Sequence, residues 1–476
     1  MNKTVSPKAS QPLAFDRHWL KENLSRYLWH ENEIARVIDQ LEILYIGESF
    51  QRMAVLYQIE FHHAAQAARR QLYVGYVVAR DRLAADHEEM VAKARVQPPF
   101  GRAVALVPEA AMILVAFPND QILHLRTEAE LQPWLATHLR EIANGAIEDK
   151  TWEIQETKTE ILRYVPEKRC TMRCRIKIKA KGDLSKEISF IAKQLSDAEK
   201  AKRQYDDLVA LRQAWSGNGV AASAVNAGSN PPVRVPQALA WDENSATVFL
   251  EEISGKSLER ALAEIDLARV IPAVGGMLAN FHGAHQRVQK SVSRAGELAE
   301  VHAVMEKIAA AFPVLQPRLR RLFNQLEMVQ WDTSPTTLLH GTFRLNHIFI
   351  QHDELALIDF DSLRMGHPAC DLANFLSSLY YIEAQERLEL SQRQNVARHF
   401  IEGYAAKAPL PVQPEALLWF LADLLIKKQA HKYLKHYHED RAQKIERMLT
   451  LSEAALAGCR NTPAEADLGA LWKVLP

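Results

Sequence analysis

Apolar and polar residues alternate in short runs through the first half of the chain, the two-residue period of strands, and return at helical spacing through most of the second half. Runs rich in β-branched and aromatic residues from Ile43 to Phe61 and from Gln71 to Ala79 predict two strands. Asp81 to Val96 and Thr127 to Ala143 carry charged, helical patterns and flank a second strand pair, Arg102 to Val107 and Ala111 to Phe117, interrupted at Pro108. Residues 15–150 thus read as a small α/β domain behind a loose polar tail, 1–14.

Another strand-rich segment follows. Glu160 to Val165 and Thr171 to Lys179, the latter alternating apolar and basic residues as TMRCRIKIK, predict an antiparallel sheet with one solvated face, and Ile188 to Gln194 continues it. Asp197 to Gln213 predicts a helix, and SGNGVAASAVNAGSNPP at 216–232 is small, polar and aperiodic, a flexible loop. Residues 235–255 predict two strands joined at Asp242-Glu243-Asn244, and beyond Gly255 the chain is mainly helical except at 337–360. A sheet followed by helices predicts an α+β fold of two lobes, 151–255 and 256–476, with an extra N-terminal α/β domain and a ligand cleft between the lobes. The element order of 15–150 loosely mirrors that of 160–255, as a degenerate second lobe or a cap would.

Composition narrows the chemistry. Lys plus Arg numbers 58 and Asp plus Glu 58, so the whole chain carries no field for a polyanion, and the basic strand lacks the interleaved aromatics of a nucleic-acid surface. Cys170, Cys174, Cys370 and Cys459 lack paired knuckle spacing and read as reduced thiols, with Cys170 and Cys174 packing from one strand face. His431, His436 and His438 come without an HExxH pattern. The most apolar stretch, Leu417 to Ile426, is ten residues long and contains Asp423, and the N-terminal residues have no signal-like apolar core. The expectation is a soluble, cytoplasmic protein with neither a nucleic-acid nor a membrane partner.

Chemistry concentrates in LLHGTFRLNHIFIQHDELALIDFDSLRMGHPACDLANFLSSL, 338–379. Two apolar strands bracket a loop holding His340, Asn346 and His347, and Asp359, Asp361 and Asp371 follow. Asp359 ends a strand, where oxygen ligands for a hard cation are commonly placed, and Asp361 faces the same side if the chain stays extended. His340 reads as a structural loop histidine or, alternatively, as an acid or base.

The pattern HGT-FRLN-H, IDFD, GHPACDLA resembles the aminoglycoside phosphotransferase and choline kinase family, whose fold is protein-kinase-like. The resemblance implies ATP and Mg²⁺ as cofactors, with Mn²⁺ as a second possibility, and a small-molecule hydroxyl as acceptor. It makes Asp359 the metal-binding aspartate, with Asp361 as a second metal ligand, and Asp371 the buried carboxylate that braces the catalytic loop. Upstream, LRYVPEKRCTMRCRI resembles the first hairpin of the nucleotide lobe, and Lys193 falls where the family's phosphate-binding lysine stands. Asp207 or Asp206 would be its acidic partner, with Glu199 less well spaced. FLEEISGKSL resembles the hinge that binds adenine through the backbone of Glu251 to Ile253.

Two departures are visible. The family's catalytic aspartate position is Thr342, and its metal-binding asparagine position is His347, with Asn346 displaced by one residue. A threonine hydroxyl does not act as a carboxylate base near pH 7, and Mg²⁺ prefers oxygen to imidazole. The hairpin turn Pro166-Glu167 lacks glycine and would bring a carboxylate near the triphosphate. Two readings follow: an ATP-dependent transfer to a small-molecule hydroxyl, slowed by Thr342, or a pseudokinase that binds nucleotide or a protein partner.

Overall fold

The structure is a computed structural model and describes residues 13–30, 37–49, 52–62, 68–143, 145, 147, 152–180, 185–216, 234–284, 286–331, 333–352, 354–436, 438–461 and 467–476. Most of the 1–14 tail, and the 216–232 loop beyond Ser216, lie outside the described residues. The chain forms two compact units, one of residues 1–201, 239–249 and 435–437, the other of 202–238, 250–434 and 438–476.

The first unit is built on two five-stranded sheets. β1 (Val37–Ser49), β2 (Arg52–His62), β3 (Arg69–Val77), β4 (Val104–Val107) and β5 (Met112–Ala116) take the order β1-β2-β3-β5-β4. β6 (Trp152–Val165), β7 (Arg169–Ala180), β8 (Ser185–Leu195), β9 (Ala238–Asp242) and β10 (Thr247–Glu251) take the order β6-β7-β8-β10-β9. The two orders are the same, and each sheet has a helix after its third strand, α1 (Leu83–Lys93) and α3 (Ala198–Ser216). The run read as one strand from Ile43 to Phe61 is a hairpin of β1 and β2, with Ser49 opposite Arg52.

The two sheets are joined by a shared core. Tyr45, Leu56, Val74 and Tyr76 from the first cluster with Tyr164, Met172, Ile176 and Phe190 from the second. Alternation along β7 buries Cys170, Met172, Cys174, Ile176 and Ile178 and leaves the basic side chains on the other face. The helix expected from Thr127 to Ala143 divides at His138. Its first part, α2 (Glu128–Thr137), is held by a Thr127–Glu130 capping box, and Trp134 on it stacks on Phe249 at 4.2 Å.

The second unit is mainly helical: α4 (Leu267–His282), α5 (Arg294–Ala311), α6 (Gln316–Met328), α7 (Ala369–Glu383), α8 (Leu390–Ala405), α9 (Pro414–Leu424) and α10 (Arg441–Asn461), with a π-helical turn over Leu425–Ala430. Five short strands interrupt the helices: β11 (Lys256–Ser257), β12 (Thr337–Leu339), β13 (Ile348–Gln351), β14 (Glu354–Leu357) and β15 (Arg364–Gly366). They form a β11-β13-β14 sheet and a β12-β15 pair. α4 and α8 cross closely enough to require glycine on both sides. A Cβ on Gly275 would lie 2.3 Å from the Phe400 carbonyl oxygen, and one on Gly403 would lie 2.2 Å from that of Pro272. This crossing delivers His282, at the end of α4, to Tyr404 on α8.

Backbone atoms cannot yield as a flexible side chain can, so Gly403→Ala should destabilise the helical unit by about 1–3 kcal/mol or more and lower the urea midpoint. Gly283→Ala, whose Cβ would meet nothing closer than 3.5 Å, should leave the midpoint nearly unchanged.

Candidate functional site

β12 leads into His340-Gly341-Thr342, a turn that depends on Gly341. This residue has φ 78°, and a Cβ on it would lie 2.4 Å from the Ser362 carbonyl oxygen. The turn is fixed by Asp371, fully buried at the start of α7. Its carboxylate accepts the backbone N–H of His340 at 2.7 Å and of Gly341 at 2.8 Å, with His282 Nε2 3.4 Å away. His282 Nδ1 in turn lies 2.9 Å from the Tyr404 hydroxyl. Burial alone would raise the Asp371 carboxyl, but the His282 contact and the loop N–H donors outweigh it and hold the carboxyl below the usual aspartate range.

His340 Nε2 lies 2.9 Å from the Ile358 carbonyl, which can only accept, so Nε2 carries the proton and Nδ1 is an acceptor. That nitrogen receives the Thr342 N–H at 3.3 Å and faces the Thr342 hydroxyl at 3.4 Å. Burial lowers the imidazole pKa further. Both ring nitrogens of His340 therefore serve the shape of the loop, and Thr342 contributes a half-exposed hydroxyl where the resemblance calls for a carboxylate.

The metal positions are rearranged. Asp359 has φ 68°, so the backbone turns there and Asp361 does not follow it as the next same-side residue of an extended strand. That expectation is corrected: Asp361 lies in a turn, and its carboxylate accepts from Gln204 Nε2 on α3 at 2.5 Å. His347 closes the 3₁₀ turn Leu345–His347. Its Nε2 sits 3.2 Å from Asp359 Oδ2 and also receives Arg344 Nε at 3.0 Å and Nη2 at 2.8 Å. Asn346 Oδ1 is buried and has no hydrogen-bond partner among the described residues. Among the described residues no group of three or more His, Cys, Asp or Glu side chains is arranged to hold a metal ion.

This donor set does not fit magnesium as the resemblance implies. A nitrogen whose lone pair points at a guanidinium is not offered to a cation, and Arg344 already places a positive charge beside the Asp359–His347 pair.

On the first unit, Lys193 lies on β8 opposite Thr171 and is buried. Glu167, at φ 60°, is buried as well, with its carboxylate 3.5 Å from Arg52 on β2. Its N–H donates to Asp120 Oδ2 at 2.8 Å, and the Tyr164 hydroxyl donates to the same oxygen at 2.5 Å. Burial raises the Glu167 carboxyl, and Arg52 opposes the rise. The expected repulsion of a triphosphate by Glu167 is therefore corrected, because this side chain is turned into the neighbouring sheet.

The remaining nucleotide positions belong to the second unit. Glu251 is an ion-pair hub: its carboxylate takes Arg234 at 3.0 Å, Arg212 at 3.4 Å and the Gln237 N–H at 3.1 Å, and its own N–H is used by the Gln237 carbonyl at 2.8 Å. That N–H, expected at an adenine hinge, is thus engaged within the protein. Ile253 is buried. Asp207 is half-buried with a carboxyl raised by burial, and the exposed Asp206 pairs with Lys202 at 2.7 Å.

Two cations next to the loop were not singled out from the sequence. Arg344 was visible as a basic residue inside FRLN. Lys428 was not legible, because it depends on the π-helical turn, which directs Lys427 to Glu297 and Asp423 and the adjacent Lys428 to the Gly341 carbonyl at 2.8 Å.

Residues 189–410 match the model of the phosphotransferase enzyme family. The match places this segment in that family. It bears out the resemblance read from HGT-FRLN-H, IDFD and GHPACDLA, and the antiparallel sheets followed by helices bear out the expected α+β class. Similar solved structures include an amicoumacin kinase in complex with AMP-PNP, Ca²⁺ and Ami, at 15% identity and TM-score 0.41, covering 66% of this chain and 91% of that one. Another is a macrolide 2'-phosphotransferase from Brachybacterium faecium, at 14% identity and TM-score 0.40, covering 71% and 100%. A third is a choline kinase from Cryptosporidium parvum Iowa II, at 12% identity and TM-score 0.43, covering 69% and 96%. No curated protein matches the sequence. No helix among the described residues is long and apolar enough to cross a membrane.

Replacing Asp371 by Asn puts an amide N–H₂ against one of two buried N–H donors, and Asp371→Asn should cost about 3–5 kcal/mol in calorimetry at pH 7. The sign of its pH dependence follows from the lowered carboxyl. The stabilisation is present above the ordinary aspartate value of 3.8 and is lost as pH falls below it through the folded value, so the variant should lack this acid-side loss.

Proposed function

We propose that this chain is a phosphotransferase-family protein that keeps the braced loop as a ligand-binding scaffold and does not carry out magnesium-dependent transfer from ATP. The observation that carries this reading is the Arg344–His347–Asp359 constellation, in which a fixed guanidinium engages the residue at the metal-ligand position. Thr342 adds to it: with no carboxylate to take the acceptor proton, general-base assistance of roughly 10²–10⁴-fold is missing. The hairpin turn is a third support, since Asp120 and Arg52 hold Glu167 and its N–H within the first unit.

A second reading, slow transfer of the γ-phosphate to a hydroxyl of a small molecule, is favoured by one feature. Asp371 still organises the loop through both backbone donors, and phosphoryl transfer depends chiefly on positioning and charge neutralisation.

The purified protein, incubated with ATP, Mg²⁺ or Mn²⁺ and a panel of aminoglycosides, choline and simple sugars, should consume no ATP above the acceptor-free and metal-free controls. Metal-dependent consumption that disappears in Asp359→Ala would overturn the scaffold reading and install slow transfer.

A further inference from the structure

We propose that Glu167 is a proton-sensitive latch that fastens the turn of the β6–β7 hairpin to the first sheet, closed when its carboxyl is neutral and loosened when it is ionised. This goes beyond the scaffold reading and does not depend on any ligand of the Thr342 loop. Three observations lead to it.

First, the turn is fastened to an acceptor that is already in place. Asp120 lies in the loop after β5, and its Oδ1 accepts the backbone N–H groups of Ile122 at 2.8 Å and Leu123 at 2.7 Å. Its Oδ2 accepts the Tyr164 hydroxyl at 2.5 Å and the Glu167 N–H at 2.8 Å. Four donors meet the two oxygens, and the two from its own loop orient the carboxylate whether or not the hairpin is seated on it.

Second, the Glu167 side chain is the opposite case. It is buried, and neither carboxyl oxygen has a hydrogen-bond partner among the described residues. Arg52 on β2 stands 3.5 Å away as an ion pair, with its guanidinium over the Tyr76 ring at 4.8 Å. Arg52 Nε and the Tyr76 hydroxyl on β3 are likewise buried without a hydrogen-bond partner among the described residues. An ionised carboxylate in such surroundings is costly, whereas a neutral carboxyl carries an O–H that the neighbouring Tyr76 hydroxyl can accept. Glu167 also holds a left-handed φ of 60°, so the closed turn is kept by its contacts against its own backbone preference.

Third, the charges around the side chain favour the proton. Glu167 faces Arg52 from β2, Tyr76 from β3, Asp120 from the loop after β5 and the exposed Lys168 from its own turn. Glu89 on α1 is paired with Lys93 at 2.7 Å. Two carboxyl groups thus share one guanidinium. Burial, together with the Asp120 charge, pushes the Glu167 carboxyl above its ordinary value of 4.5, while Arg52 and Lys168 act in the opposite direction. Because the value is raised in the closed state, closure is strongest below 4.5 and is lost as pH rises from there through the raised value.

The test is hydrogen exchange followed by mass spectrometry on the full chain from pH 4.5 to about 8, with each rate corrected for the intrinsic pH dependence of exchange. In the wild type, protection of peptides spanning Tyr164 to Lys168 should fall roughly tenfold per pH unit from 4.5 up to the raised value and then level off. Peptides of α7, in the second unit, should not follow it. Glu167→Gln keeps a neutral side chain of the same shape and should hold the protection high and flat across the range. Arg52→Met removes the opposing cation and should move the levelling-off point to higher pH, a shift that a merely structural contact would not produce. Thermal melting of each variant confirms folding. Protection independent of pH in the wild type, a pH dependence that persists in folded Glu167→Gln, or a levelling-off point unmoved in folded Arg52→Met would overturn the proposal. The wild-type series alone can overturn it where a variant fails to fold.

Discussion

A single buried carboxylate sets the geometry on which the candidate site depends. Asp371 is removed from water, a position that is costly unless its oxygens are satisfied, and two consecutive loop N–H groups with His282 satisfy them. The demand propagates outward. His282 must be held at the end of α4, Tyr404 must reach its other nitrogen from α8, and that distance exists because Gly275 and Gly403 let the two helices approach backbone to backbone. Asn374 and Lys428 close the other side by donating to the Gly341 carbonyl. The loop is therefore rigid by construction, whatever it binds.

Around that frame, two positions depart from the pattern the resemblance implies. Thr342 places a neutral hydroxyl where the resemblance calls for a carboxylate, Lys428 donates to the Gly341 carbonyl just before it, and the residue at a metal-ligand position is a histidine engaged by Arg344. The turn of the β6–β7 hairpin donates from the Tyr164 hydroxyl and the Glu167 N–H to Asp120, in the loop after β5, and Glu167 pairs with Arg52 on β2, so the two sheets of the first unit are joined by polar contacts as well as by the shared core.

Much of this was legible in the sequence. Alternation along TMRCRIKIK correctly gives a strand with one buried face, and the spacing from HGT to IDFD to GHPACDLA is long and specific enough to identify the family and the bracing role of Asp371. What was not legible depends on backbone geometry that side-chain patterns do not encode. The left-handed residues Asp359 and Glu167 send their side chains away from the directions an extended chain would give, which is why Asp361 and Glu167 were misplaced. The π-helical turn puts consecutive lysines to different uses, and no apolar period announces it. His138 divides a helix whose charge pattern looks continuous. The hairpin between β1 and β2 was hidden because both of its strands are rich in the same residue types.

Mn²⁺ titration followed by electron paramagnetic resonance, with and without ATP, asks whether the Arg344–His347 pair keeps a divalent cation from Asp359. Protein-bound Mn²⁺ in the wild type should equal that in Asp359→Ala, any signal being that of free Mn²⁺ or of its ATP complex. A stoichiometric protein-bound Mn²⁺ that is lost in Asp359→Ala would contradict it.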